Sequence, residues 1–185
     1  LLHEIAHHIR AQRVGPMRGA RLHHGTCGLV DQIEHLAQSD LQLTLSVSLH
    51  APDDETRSSL LPINRSTGVK KLMDTCHAYF EKTGRRISFE YAMIDGVNDA
   101  DWQADLLAKY LKGMPGHVNL IGLNDIEESP LKPSRRVAAF QKRLESHGVT
   151  ATVRRKLGDD INAACGQLRR SAMNNGQKRN TGDTQ

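Results

Sequence analysis

Aromatic side chains are scarce: three Phe, three Tyr and one Trp make up 4% of the 185 residues. That argues against a base-stacking platform of the kind single-strand binders use, while leaving rings for a core. Cysteine is scarcer still. Cys27, Cys76 and Cys165 are far apart and odd in number, and no CxxC pair occurs. This suits a reducing compartment better than a secreted disulfide scaffold. Apolar runs are strand-sized, far short of the roughly 20 residues of a membrane span. The opening residues carry no signal-peptide pattern. The sequence therefore reads as a soluble, cytoplasmic protein with no membrane partner; a monomer is expected.

Excess charge is also nearly missing from the body of the chain. Of the net +4, three charges come from residues 169–185, where Arg169, Arg170, Lys178 and Arg179 stand against Asp183. Any basic footprint for nucleic acid is local, with Arg154-Arg155-Lys156 and the nearby tail as its candidates. A solvated polar edge is the competing reading of the same residues. The tail after Leu168 is Asn, Gln, Gly, Lys and Arg without periodicity and is expected to be disordered.

What the chain does have is a 38% hydrophobic content, enough for one domain with a core, and a repeating rhythm of elements. Leu1, Leu2, Ile5, Ala6 and Ile9 recur at helical spacing before Gly15-Pro16, in a helix that starts without a cap and so reads as a cut end. Arg21 to Gly28 falls where a strand is due, but His23, His24 and a glycine make it a doubtful one. Those two histidines, with His7 and His8, raise a metal site; neighbours on a strand point to opposite faces, which favours exposed polar residues instead.

Val30 to Ala37 spells a short helix and Leu41 to His50 the clearest strand. Leu43, Leu45, Val47 and Leu49 share one face of it, and Thr44, Ser46, Ser48 and His50 the other. In a parallel sheet covered by helices, polar residues near a strand's carboxyl end are placed to meet a ligand. A short helical turn from Pro52 ends at Leu60 to Asn64. Ser66 or Thr67 then caps a helix carrying Val69, Leu72, Met73, Cys76, Tyr79 and Phe80 that stops at Gly84. Cys76 falls on its apolar face and reads as a core residue. In the strand Ile87 to Ile94, Ser88 and Glu90 oppose Phe89, Tyr91 and Met93. Glu90 is either in an ion pair with a nearby Lys or Arg, or a hydrogen-bond acceptor for a ligand.

The turn Asp95 to Asp99 precedes a helix capped by Asp99 or Asp101, then a strand from His117 to Leu123 that leaves Asn124 just past its end. Pro133-Ser134 opens the last long helix, Gly148 stops it, and Val149 to Val153 is the final strand. The fold class is α/β, with parallel strands alternating with helices. Four good strands and one doubtful one fit a doubly wound sheet or part of an open barrel, and the uncapped start favours the second.

Near the end, Gly158-Asp159-Asp160-Ile161-Asn162-Ala163-Ala164-Cys165-Gly166-Gln167-Leu168 sets a cysteine among small residues, where the backbone turns tightly and the sulfur stays accessible. A small buried hydrophobe is the other reading of such a cysteine, and spacing alone does not separate them.

Six segments together carry a resemblance: Ser48-Leu49-His50-Ala51-Pro52-Asp53-Asp54, Leu61-Pro62-Ile63-Asn64, Phe89-Glu90-Tyr91, Ile94-Asp95-Gly96-Val97-Asn98-Asp99, Val118-Asn119-Leu120-Ile121 and the run around Cys165. In this order and spacing the chain resembles the RlmN family of radical S-adenosylmethionine methyltransferases, from about Gly19 to Leu168. The resemblance implies the carboxy-terminal part of a radical SAM partial (β/α)6 barrel, with residues 1–168 an incomplete core and 169–185 a basic tail. It implies methyl transfer to C2 of adenine in 23S rRNA and tRNA. It also implies that Ser48, Leu49, His50 and Asn124 contact S-adenosylmethionine. Cys165 corresponds to the cysteine that first accepts a methyl group; a 5′-deoxyadenosyl radical from a second S-adenosylmethionine then takes hydrogen from that methyl, and its carbon adds to the ring.

Departures accompany the match. The family's 4Fe-4S cluster is held by a CxxxCxxC motif, which this sequence lacks, so no residue here is assigned as a metal ligand; Cys27 and Cys76 do not fall at the corresponding positions. Gly25 stands where the family usually has a serine, and Gly122 and Asp125 alter the surroundings of Asn124. An inactive remnant that binds RNA or S-adenosylmethionine is the alternative reading.

Overall fold

The computed structural model describes residues 22–26, 30–38, 43–123 and 131–154. The expected first helix, Cys27, Asn124, Cys165 and residues 169–185 lie outside them.

Alternation of apolar and polar residues builds the strands and three- to four-residue apolar steps build the helices. In chain order the elements are β1 (Leu22–Thr26), α1 (Val30–Ala37), β2 (Leu43–Ser48), α2 (Asp54–Leu60), α3 (Asn64–Thr67), α4 (Val69–Thr83), β3 (Ile87–Met93), α5 (Asp101–Leu111), β4 (Gly116–Gly122), α6 (Val137–Ser146) and β5 (Thr150–Arg154). The doubtful segment around His23 is thus a strand. It pairs along its whole length with β2, from Leu22 opposite Leu43 to Thr26 opposite Val47. Backbone pairing in the sheet overrides weak intrinsic preference.

The five strands among the described residues are all parallel and stand in sequence order, β1-β2-β3-β4-β5. A doubly wound sheet reverses its strand order at a switch point; this one never does, so crossovers of one hand leave their helices on one side. That order decides between the two architectures the sequence left open, in favour of the barrel type.

The sheet is consequently two-faced. Leu45, Val47, Ile87, Phe89, Tyr91, Met93, Val118 and Leu120 are fully buried and pack with Ile33, Leu72, Met73, Cys76, Leu107, Phe140 and Leu144 of the helices. The Tyr91 and Phe140 rings meet with centroids 5.2 Å apart. Each such buried side chain contributes about 1.5–3 kcal/mol of transfer free energy. The opposite face carries Ser46, Ser48, Ser88, Glu90, His117 and Asn119, all half-buried. A smaller cluster of Leu60, Leu61, Ala92, Ile94 and Leu123 closes the carboxyl end of the strands.

Helix starts differ from expectation in an instructive way. Neither Ser66 nor Thr67 caps α4. Its first N–H, on Val69, donates to Asp54 Oδ1 at 2.7 Å, from a carboxylate fifteen residues earlier. The residue at the cap itself is Gly68, with φ 74°, a conformation in which serine would be strained. Asn64, expected to end a turn, begins α3. Neither Asp99 nor Asp101 caps α5. Ala100 occupies the cap, and its N–H donates to Gln103 Oε1 at 3.0 Å. Ser134 does not open α6; it accepts from Arg136 N–H at 2.9 Å in the turn before Val137.

Candidate functional site

The segment Ser48-Leu49-His50 leaves the carboxyl end of β2 and is held from three directions. Arg57, fully buried on α2, donates from Nε to the Leu49 carbonyl at 2.9 Å and from Nη2 to the Ser48 carbonyl at 3.0 Å. Its Nη1 donates to Asn64 Oδ1 at 2.7 Å. A planar guanidinium satisfies several separated acceptors at once, which a lysine ammonium does not. From β3, the Glu90 carbonyl accepts from the N–H groups of Leu49 (3.0 Å) and His50 (3.3 Å).

From the turn after β3, Asn98 completes the clamp. Its Nδ2 donates to the carbonyls of His50 (2.7 Å) and Ala92 (2.6 Å), and its Oδ1 accepts from Ile94 N–H at 2.7 Å. Tyr91 donates its hydroxyl proton to the Asn98 carbonyl at 2.7 Å. Asn98 is fully buried, and every polar group of its side chain has a partner, as an interior site requires.

His50 is in the left-handed region, with φ 60°. Its ring accepts at Nδ1 from Ala92 N–H at 3.0 Å, which places the proton of a neutral imidazole on Nε2. Burial first and the Arg57 charge second together lower its pKa to about 4. His50 is therefore a neutral, fixed ring. Leu49 is fully buried on the helix side, so within this segment the Ser48 hydroxyl is on the polar face.

Register continues that face across the sheet. Ser48 lies opposite Glu90, Glu90 opposite Asn119, and Asn119 opposite Thr152. Asn119 Nδ2 donates to Glu90 Oε1 at 2.8 Å and to Ser88 Oγ at 3.0 Å. Asn119 Oδ1 accepts from Thr152 Oγ at 2.8 Å and is 2.8 Å from His117 Nε2. Glu90 is therefore in a hydrogen-bonded row, and among the described residues it forms no ion pair of the kind considered from the sequence. Its second oxygen, Oε2, is buried without a hydrogen-bond partner among the described residues, as is His117 Nδ1.

Of the residues singled out from the sequence, Ser48, Leu49 and His50 come together at the end of β2; Asn124 and Cys165 lie outside the described residues. Arg57 and Asn98, which fix the segment, were missed. Asn98 sits in a turn sequence that only suggests a turn former, and nothing local marks Arg57 as buried. Cys76 is buried, and burial pushes its thiol up to about 12, so it is not a nucleophile. Among the described residues, no three His, Cys, Asp or Glu gather as a metal site, and no helix is long and apolar enough to cross a membrane.

A separate cleft of about 1020 Å³ opens at the opposite, amino-terminal end of β3 to β5, lined by Arg86, Asp105, Lys109, Lys112 and His147 among others. Hydrogen bonds from Arg143 and His147 hold Asp105 at about 2. None of Ser48, Leu49 and His50 borders that cleft.

A sequential parallel sheet with helices on one face and a polar row on the other defines an open-barrel type of α/β core. The crystal structure of a radical SAM methyltransferase from Sphaerobacter thermophilus superposes with a TM-score of 0.72 at 48% identity, over 78% of this chain and 43% of that one. A domain of pyruvate-formate lyase-activating enzyme from Bacteroides vulgatus shares the fold alone, with a TM-score of 0.58 at 17% identity over 74% of this chain and 82% of that one. No family model matches the chain.

Curated relatives are more specific. Proteins named "Probable dual-specificity RNA methyltransferase RlmN" match at 50% identity in Clostridium perfringens, over 79% of this chain and 43% of the relative. The corresponding protein of Caldanaerobacter subterraneus matches at 51%, over 82% and 45%, and that of Pelotomaculum thermopropionicum at 53%, over 84% and 43%. Over the matched segment this chain is about half identical to these RlmN proteins, and it spans less than half of their length.

Proposed function

We propose that this chain is part of an S-adenosylmethionine-dependent methyltransferase acting on C2 of adenine in 23S rRNA and tRNA. Identity of about half the residues to RlmN proteins over 79% of the chain carries this reading. The RNA substrate, the cytoplasmic setting and the monomeric state belong to the same proposal.

The described residues fit a nucleoside-bearing ligand. Ser48, Leu49 and His50 form a rigid lip at the carboxyl end of β2, the end at which α/β sheets bind ligands. The Arg57 and Asn98 clamps fix that lip before any ligand arrives, so little ordering is left for binding to accomplish. In this reading Ser48, Leu49, His50 and Asn124 hold S-adenosylmethionine, which supplies the methyl group. Cys165 accepts it: its thiolate forms a new carbon–sulfur bond as the sulfonium–methyl bond breaks, releasing S-adenosylhomocysteine and leaving the thiol proton with solvent.

A 4Fe-4S cluster does not fit the described residues. Cys76 is the one free cysteine among them, and its thiol stays protonated at neutral pH. The sequence holds no CxxxCxxC in any of its 185 residues. No step on this chain is assigned to a cluster. The alternative reading is an inactive fragment that binds RNA or S-adenosylmethionine.

Peptide mass spectrometry of the protein grown with methyl-deuterated methionine separates the two. The proposal expects a labelled methyl on Cys165, and loss of RNA methylation in Cys165→Ala. RNA methylation at the unaltered rate in Cys165→Ala would sink the methyl-carrier role; ligand binding with no methyl on Cys165 would select the fragment reading.

A further inference from the structure

Two polar atoms stand out on the sheet's polar face: Glu90 Oε2 and His117 Nδ1 are buried, and neither has a hydrogen-bond partner among the described residues. Leaving such an atom unmatched costs about 1–3 kcal/mol, more for a charged group, so native proteins keep few of them. Both belong to one network on adjacent strands, linked through Asn119.

The direction of that network fixes what the two atoms are able to do. Asn119 spends its amide hydrogens on Ser88 Oγ and Glu90 Oε1, so its Oδ1 is the atom facing His117 Nε2 at 2.8 Å. Nε2 must then carry hydrogen, and Nδ1 of the neutral imidazole is left as an acceptor. Glu90 Oε2, on a carboxylate, is an acceptor as well. A ligand on this face has to bring donors.

Position ties the acceptors to the proposed cofactor segment. Glu90 is the register partner of Ser48, and its own carbonyl holds the N–H groups of Leu49 and His50. Its side chain and main chain therefore serve the two sides of one junction: the carbonyl shapes the lip at the end of β2, and the carboxylate lies on the polar face beside it.

We propose that Glu90, with His117 as a second acceptor, is a ligand-binding residue of this site, taking an N–H or O–H donor of an adenosyl ligand on Oε2. This rests on the reading that the polar face holds S-adenosylmethionine. The ligand offers donors of two sources: the hydroxyls and amine of its nucleoside, and the ammonium of its amino-acid end.

Isothermal titration of the full chain tests this with three proteins and two probes. Glu90→Gln keeps an acceptor for Asn119 and replaces the free acceptor by a donor; His117→Gln keeps a donor toward Asn119 and removes Nδ1. Glu90→Gln is expected to weaken S-adenosylmethionine binding about ten- to hundredfold, and His117→Gln by a smaller factor, with thermal unfolding midpoints showing that each variant is folded. 5′-Methylthioadenosine, which lacks the amino-acid end, locates the donor. A similar loss with both probes assigns it to the nucleoside, and a loss with S-adenosylmethionine alone assigns it to the ammonium. If the unaltered chain binds and both variants bind equally well, the role of Glu90 and His117 is refuted while the cofactor reading stands. If the unaltered chain binds neither probe, the cofactor reading and this inference fall together. Should Glu90→Gln not fold, His117→Gln alone decides: undiminished binding overturns the inference.

Discussion

Arg57 reaches from α2 to the carbonyl of Leu49, eight residues earlier, with a 2.9 Å hydrogen bond from a guanidinium that has no solvent exposure. The same side chain holds the Ser48 carbonyl and Asn64 Oδ1, so one cation sets the path of the chain as it leaves β2.

Arg57→Met is expected to destabilise the protein by about 3–5 kcal/mol, the range for breaking a buried charged network by removing one partner. Arg57→Lys retains the charge without the fork and is expected to cost about 1–3 kcal/mol. Urea denaturation measures both. A loss below about 1 kcal/mol for Arg57→Met would mean that the carbonyls of Ser48 and Leu49 find other donors.

His50 makes stability depend on pH. Its folded pKa is lowered to about 4 from 6.5, by burial first and Arg57 second. As pH falls through 6.5 the unfolded chain takes up this proton, and the folded chain does not until about pH 4. Stability from this group is thus fully present above that upper value and lost through the window below it, by something on the order of 3 kcal/mol in total. His50→Asn preserves an acceptor near the Nδ1 position and tolerates the left-handed backbone. Its unfolding free energy should change less between pH 7.5 and pH 5 than that of the unaltered protein, on the order of 1–2 kcal/mol less; equal slopes would contradict the assignment.

Asp54 is a remote cap. Its Oδ1 accepts from Val69 N–H at 2.7 Å and from Asn64 Nδ2 at 2.9 Å, so Asp54→Ala is expected to cost about 1–2 kcal/mol. Hydrogen exchange should accelerate first at the amino-terminal turn of α4. Protection unchanged at Val69 would show that the amide has another partner.

Cys76 provides a negative control for thiol chemistry. With its thiol pushed up to about 12 by burial, it should resist iodoacetamide at pH 8 in the native protein and be labelled fully in denaturant. Peptide mapping distinguishes it from Cys27 and Cys165. Rapid native labelling of Cys76 would place α4 off the sheet.

Legibility of the sequence followed locality. The alternation of β2 and β3 and the apolar stripe of α4 depend on neighbours within one or two turns, and Leu45, Val47, Phe89, Tyr91, Leu72 and Cys76 are buried as their spacing requires. Gly84 and Gly148 end their helices for an equally local reason, both at positive φ. What was not legible is set by partners distant in sequence. The cap of α4 is a carboxylate fifteen residues before it, and Asn98 acts on a carbonyl forty-eight residues away. His23 and His24 look unlike strand residues because propensity ignores the ladder offered by β2. Glu90 could be read as polar inside an apolar strand, but its partner Asn119 is fixed only by parallel register.

The two-faced sheet also shapes how such a protein is able to diversify. Phe89, Tyr91 and Met93 are wholly committed to packing, while Ser88 and Glu90 between them bury little apolar surface, so substitutions at every second residue alter chemistry on one side with small mechanical consequence on the other. Stepwise change along the polar row then leaves the core intact. A one-residue slip of strand register is different in kind, because it exchanges the faces and ruins core and polar row at once.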